Sequence, residues 1–157
     1  EFTYRRRFFE NCFTQNTFGY RVDQVKGIDR EAQASAGIGY QYKPTDRFKF
    51  ILGGGGGLEE FEADFEDTRK GLSLIANIFQ EATWRPFKRT SVIQKFNYYW
   101  NPKNSEQFNY LLSVAIRMRL TDLLGFEFSY NKSFDNDIGN RKVRDDAQWR
   151  NALVFYF

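Results

Sequence analysis

From Phe108 to Leu120 every second residue is apolar. Phe108, Tyr110, Leu112, Val114, Ile116, Met118 and Leu120 share one face of an extended chain; Asn109, Leu111, Ser113, Ala115, Arg117 and Arg119 share the other. Successive side chains of a strand point to opposite faces, so this alternation dictates a strand with one apolar side. It outruns the roughly 5–6 residues usual in globular strands. It meets the roughly 9–11 residues that a tilted strand needs to cross a bilayer.

The same period recurs along the whole chain. Leu124, Phe126, Phe128 and Tyr130 alternate with Gly125, Glu127, Ser129 and Asn131. Ala32 to Tyr42, Leu72 to Trp84 and Val92 to Trp100 form further rows, and so do Phe18 to Val22, Phe48 to Leu52 and Trp149 to Phe157. The pattern predicts eight strands, near 11–23, 30–43, 46–58, 70–85, 90–100, 107–120, 123–134 and 145–157, with residues 1–5 as the tail of a ninth. No helical periodicity of useful length competes.

Composition decides what encloses these strands. Mean hydropathy is −0.63 and 41% of residues are hydrophobic, which would suit a soluble chain. No run approaches the roughly 18 apolar residues of a membrane helix, but a β-barrel escapes that test because its two faces average out. The outlier is aromatic content: 18 Phe, 9 Tyr and 3 Trp, 19% of the chain. Aromatic residues favour strands and build the interfacial girdles of barrels. The expectation is a single domain over 1–157: an all-β, antiparallel, transmembrane up-and-down β-barrel of a bacterial outer membrane.

The connections carry independent information. Arg6–Glu10, Pro44–Thr45, Pro86–Arg89 and Thr121–Asp122 read as short; Gln24–Asp29, Glu59–Arg69, Asn101–Glu106 and Asp135–Arg144 read as longer. Short and longer alternate throughout, as periplasmic turns and external loops do. With a periplasmic C-terminus, the strand ending near Arg5 descends, so at least one strand is expected before Glu1 and the complete barrel is expected to have ten or more. A signal peptide is expected to be cleaved or to lie upstream. The alternative is an eight-stranded barrel over 11–157 with residues 1–10 as an arm.

The inward rows are charged with both signs: Glu31, Arg47, Lys49, Glu81, Arg85, Lys95, Arg117, Arg119, Glu127 and Arg150. In a wide barrel they would tune a pore; in a narrow one they would fill it. Face parity across the turn at 120–124 allows Arg117 to sit opposite Glu127, and a direct pair there favours a plug. Trp84, Trp100 and Trp149, with Tyr98 and Tyr130, lie on the apolar face near strand ends and suit the membrane girdles. The chain closes on Leu153, Phe155 and Phe157, a pattern that resembles the signal read by the barrel assembly machinery, with an edge strand available for strand addition.

Gly53 to Gly57 supplies the bend or bulge of a closed barrel, or else opens space inside it. No Gly-Lys-Ser/Thr follows, so it is no phosphate loop. Glu59, Glu60, Glu62, Asp64, Glu66 and Asp67 crowd the longest acidic stretch; a solvated loop is the simpler reading, with divalent cations bridging lipopolysaccharide as the other. Asp135, Asn136 and Asp137 are read the same way.

Histidine is absent, which removes the commonest general base, the usual nucleophile pairs and the main transition-metal ligand. Cys12 stands alone, so neither an intramolecular disulfide nor a cysteine zinc cluster can form. The net charge of +3 comes with no basic stripe or binding module. No catalytic residue, cofactor, metal or nucleic-acid partner is expected. The expected partners are outer-membrane lipids, lipopolysaccharide and, during biogenesis, the assembly machinery.

The stretch Gly27 to Gly57 resembles the salt-induced outer membrane protein family, whose function is unknown. The resemblance rests on Asp29-Arg30, Gly37-Ile38-Gly39-Tyr40, Pro44-Thr45-Asp46-Arg47, Gly53 to Gly57 and the terminal strand ending in Phe157. It implies an outer-membrane barrel with an N-terminal portion ahead of Glu1, and it brings no catalytic residues. The functional expectation is a structural or stress-related membrane barrel with a plugged lumen. A porin-like channel, a soluble barrel holding an apolar ligand, and an enzyme acting at the external rim are the alternatives.

Overall fold

The computed structural model describes residues 2–23, 28–63, 71–136 and 145–155. They form one antiparallel sheet of nine strands: β1 (Phe2–Arg7), β2 (Cys12–Asp23), β3 (Ile28–Thr45), β4 (Phe48–Ala63), β5 (Gly71–Phe87), β6 (Thr90–Asn101), β7 (Asn104–Arg119), β8 (Leu124–Asp135) and β9 (Asp145–Phe155). Each strand pairs only with its sequence neighbours, so the sheet runs β1 to β9 in order, up and down. The sheet is not closed: β1 and β9 each keep one unpaired edge.

Two expectations are corrected here. Residues 2–7 are no arm, because they pair with β2 from Phe2↔Phe18 to Arg7↔Phe13. The alternative of a barrel closed by residues 11–157 also fails, because β2 pairs with β1 and β3 and not with β9. The connections are corrected as well. β6 and β7 are joined by a tight turn at Pro102–Lys103, not a medium loop. The Asn101 side chain accepts from the Lys103 N–H at 2.9 Å and that of Asn104 from the Glu106 N–H at 3.1 Å; these side chains supply turn acceptors that let the strands run close to the turn. The strict alternation of short and longer links therefore breaks at this point. β4 also extends to Ala63, so Glu59, Glu60 and Glu62 are strand residues. Asp64, Glu66, Asp67 and Asp137 lie outside the described residues.

The sheet curls. Arg5 on β1 forms a bidentate ion pair with Glu81 on β5. On a flat sheet strands four apart would be about 19 Å from each other. The face carrying both residues is therefore the concave one. Phe13 on β2 meets Phe79 on β5 across the same hollow, with ring centroids 6.2 Å apart. Phe13, Ile51 and Phe79 form the buried cluster.

Glycine permits the curl. A Cβ on Gly55 would lie 2.6 Å from Gly37 Cα and closer still to Ala36 O, so β3 and β4 approach each other in a way that only glycine allows. A Cβ on Gly53 would lie 2.6 Å from Ile38 O and inside the Phe79 ring. The β3–β4 register runs unbroken through the glycines; its irregularities fall at Ile28/Arg30 and Tyr42/Thr45. The run bends the sheet without a bulge, and the inward space at Gly53 is occupied by a ring rather than left open.

The convex face is apolar. Exposed large hydrophobics run from Phe2 and Tyr4 on β1 to Trp149, Leu153 and Phe155 on β9. A polar pair also lies on this face at mid-strand, Gln80 with Gln94. Each amide donates to the other, at 2.7 and 2.8 Å, so the pair satisfies itself on an apolar surface.

Candidate functional site

The concave face is the candidate site, since it is where polar and charged groups converge. The register puts Glu31, Lys49, Glu81, Arg85, Lys95, Arg117, Arg119, Glu127 and Arg150 on this side of their strands. Arg47 lies in the turn between β3 and β4, where its carbonyl accepts from the Arg85 N–H at 2.7 Å.

The structure brings some of these residues together and leaves others apart. Arg117 stands directly opposite Glu127 and ion-pairs with it. Arg21 pairs with Glu31 between neighbouring strands, its Nε donating at 2.9 Å. Glu81 takes Arg5 from across the hollow and sits in the positive field of Lys95 and Lys49. Arg119 donates to the Asp122 carbonyl in the short turn. Arg150 has no ion pair among the described residues.

Arg5 is the hub of the interior. Its Nε donates to Gln15 Oε1 at 2.7 Å, and Gln15 Nε2 donates to Thr17 Oγ1 at 3.4 Å. Its guanidinium lies 5.2 Å from the Phe13 ring centroid and 5.7 Å from that of Phe79. The cation is thus held between two aromatic rings and a carboxylate, each of which attracts its positive charge. Arg5, Phe13, Gln15, Ile51 and Phe79 come together in the hollow at this level.

Sequence reasoning missed this group. It followed the apolar parity of each strand, and Phe13, Ile51 and Phe79 stand on the opposite, polar parity. A signal was present: aromatic residues in polar rows, with Gly39 and Gly53 to receive them. A Cβ on Gly39 would fall 2.8 Å from Phe13 Cε2, so each ring seats on a glycine.

Elsewhere the hollow is less filled. A cavity of about 240 Å³ lies at the end of the longer connections, between β2–β3 and β6–β8, lined by Arg21, Glu31, Gln33, Tyr99, Asn109 and Asp135. Gln33 Nε2 is buried there without a hydrogen-bond partner. A second cavity, of about 350 Å³, follows β6–β9 past Lys95, Asn97, Ser113, Asn131 and Gln148. Among the described residues no group of three His, Cys, Asp or Glu side chains could hold a metal ion. Of the strand acids at the end of β4, Glu59 is buried at 4% exposure. Glu60 and Glu62 instead share Arg30, at 2.8 and 3.4 Å.

Trp84, Tyr98, Trp100, Tyr130 and Trp149 lie on the convex face, and all but Trp84 join a lattice of rings across β6–β9. Tyr98 meets Trp100 at 5.7 Å and Phe108 at 5.9 Å, and Phe134 stacks on Tyr110 at 5.4 Å. Tyr130 and Trp149 are closest, with centroids 4.4 Å apart. Trp84 and Trp100 sit near strand ends; Trp149, the fifth of the 11 residues of β9, sits at mid-strand instead. Leu153 and Phe155 face outward on β9, each 63% exposed. Phe157 lies outside the described residues.

No curated protein and no solved structure matches the chain. A family model does, over residues 1–157: the chain belongs to the family described as "Protein of unknown function, DUF481".

Proposed function

We propose that the chain forms the greater part of a bacterial outer-membrane β-barrel with a structural or stress-related role, its lumen filled by side chains. The observation that carries this reading is the convex face. Large apolar side chains stay exposed on β1 to β5 and on β7 and β9, with Phe2, Phe18, Tyr20, Leu72, Trp84 and Trp149 each more than half exposed. Water would penalise such a face at about 25 cal/mol for every Å² of apolar surface; hydrocarbon would not. Strand length supports the reading too, since β2 to β9 have 11 to 18 residues each. So does the resemblance to the salt-induced outer membrane protein family.

The filled lumen is supported by the Arg5, Phe13 and Phe79 cluster and by the Arg117–Glu127 pair. Nothing in this reading requires catalysis or a cofactor. Lipids and lipopolysaccharide would cover the convex face, and the open edge of β9, with Leu153 and Phe155 outward, suits strand addition by the assembly machinery.

The test is folding into micelles, read as heat-modifiable gel migration, with quenching of Trp84 and Trp149 fluorescence by brominated lipid. A folded protein that stays soluble without detergent and whose tryptophans escape quenching overturns the proposal. The cavities along β2–β3 and β6–β9, into which charged and amide side chains reach, favour a second reading, a channel for small solutes. Stable open-channel steps in planar bilayers would establish it over the plug.

A further inference from the structure

The concave face is electrically lopsided toward its short-turn end. On β1, β4, β5 and β6 the inward rows at that end carry Arg5, Arg7, Lys49, Arg85 and Lys95 against a single carboxylate, Glu81. Arg5 occupies both oxygens of that carboxylate. Lys49 stands opposite Thr83, Lys95 stands opposite Glu81, and Arg85 follows Thr83 two positions on. Among the described residues no carboxylate comes within ion-pair distance of Lys49, Arg85 or Lys95. The nearest turn acid, Asp46, is already engaged by Lys43 at 2.7 Å. Three cations and a hydroxyl therefore face one hollow from three adjacent strands, and the carboxylates whose field reaches them, Glu81 and Asp46, are already ion-paired with Arg5 and Lys43.

We propose that Lys49, Thr83, Arg85 and Lys95 form a binding site for a soluble anion bearing at least two phosphate charges. Three adjacent strands span about 10 Å, which suits a diphosphate better than a single small anion. Arg85 supplies a planar fork for phosphate oxygens, and the two lysines supply point charges on either side. A concave wall of one sign also concentrates counter-ions before contact. The concave face points away from the apolar surface, so the phosphate comes from a free solute rather than a lipid headgroup. The proposal rests on reading this face as the wetted side of a barrel.

The test is calorimetric titration of inorganic pyrophosphate into the 157-residue chain. It is run in dodecyl maltoside micelles and in detergent-free buffer, so that failure of the membrane reading leaves the anion result readable. Saturable binding that weakens with added salt is expected. The double variant K49Q/K95Q should bind at least about tenfold more weakly, from the loss of charge-assisted contacts. Glu81→Gln should bind more tightly, because the competing carboxylate is gone; a purely structural role for these residues does not predict that gain. Lys103→Gln, in the turn at the far end, should match the parent chain. Absence of saturable binding at low salt, or K49Q/K95Q binding as well as the parent, overturns the proposal. Binding seen only to phosphatidylglycerol nanodiscs, and not to pyrophosphate, overturns the assignment to a free solute.

Discussion

The two halves of the sheet fill their inner face differently. In β2–β5, Phe13 and Phe79 point inward, at 3% and 1% exposure; the convex side carries small residues such as Ala34, Ala36, Gly54, Gly56 and Ala76 alongside the exposed rings of Phe18, Tyr20, Tyr40, Tyr42 and Trp84. In β6–β9 Tyr99 turns inward, the other rings point outward and many stack on one another, and Ser113, Ala115, Ser129 and Ser133 take the concave side. Where glycine lets the backbone bend tightly, the inside is short of side-chain volume and a ring from an adjoining strand fills it. β6–β9 have no such glycine run, and most of their rings lie outside.

Removing one ring from each half is the largest test of this contrast. Phe79→Ala should cost about 3–5 kcal/mol, because it leaves a cavity that the glycine backbone cannot fill. Phe134→Ala, on the convex lattice, should cost about 1 kcal/mol, the scale of lost ring pairing. Chemical unfolding followed by circular dichroism measures both, and equal losses would erase the distinction.

The glycines offer a finer test, since alternate residues face opposite ways. Gly55→Ala should destabilise by about 1–3 kcal/mol, because its methyl meets backbone on β3 that cannot move aside. On Gly56 the methyl would lie 3.3 Å from Ile75 O on the convex side, and Gly56→Ala should change stability by about 0.5 kcal/mol or less. Thermal melts of the two variants side by side would decide whether curvature is what the run is for.

Ion pairs should show the same inequality at smaller scale. Glu81→Gln leaves Arg5 without its carboxylate at a half-buried position and should cost about 2 kcal/mol. Glu127→Gln affects a pair whose Arg117 side chain is 51% exposed and should cost less than about 1 kcal/mol. A double-mutant cycle with Arg5→Gln and Arg117→Gln separates the pair energies from the cost of orphaned charge.

The smallest effect belongs to the β3–β4 turn. The hydrogen bond and charge of Lys43 hold the Asp46 carboxyl below its ordinary 3.8. A lowered pKa means the contribution is present above 3.8 and fades as the pH falls through the folded value. Asp46→Asn should therefore differ slightly from the parent at neutral pH and match it in strong acid, as melts across that range would read.

The strands were legible because period two is written in every row, and one face of each had to be apolar. Arg117 opposite Glu127 was legible for the same reason: a tight turn fixes parity. The link at Pro102–Lys103 was misread because Asn101, Asn104 and Glu106 look like loop composition, although the two asparagines cap the turn. The end of β4 was misread because glycines followed by glutamates resemble a loop. Arg5 with Glu81 was illegible: the partners are 76 residues apart, and only the curl of the sheet brings them together. Family membership followed from the whole chain, and it says nothing of what the concave face holds.

The odd number of strands has a directional consequence. In an up-and-down sheet of nine, the first and last strands run the same way. If their free edges met directly, the seam would be a parallel ladder, with slanted bonds, in an otherwise antiparallel wall. An antiparallel seam requires an odd number of further strands between them. A barrel built on this sheet either carries one ladder unlike all the others, or takes additional polypeptide that enters at one rim and leaves at the other.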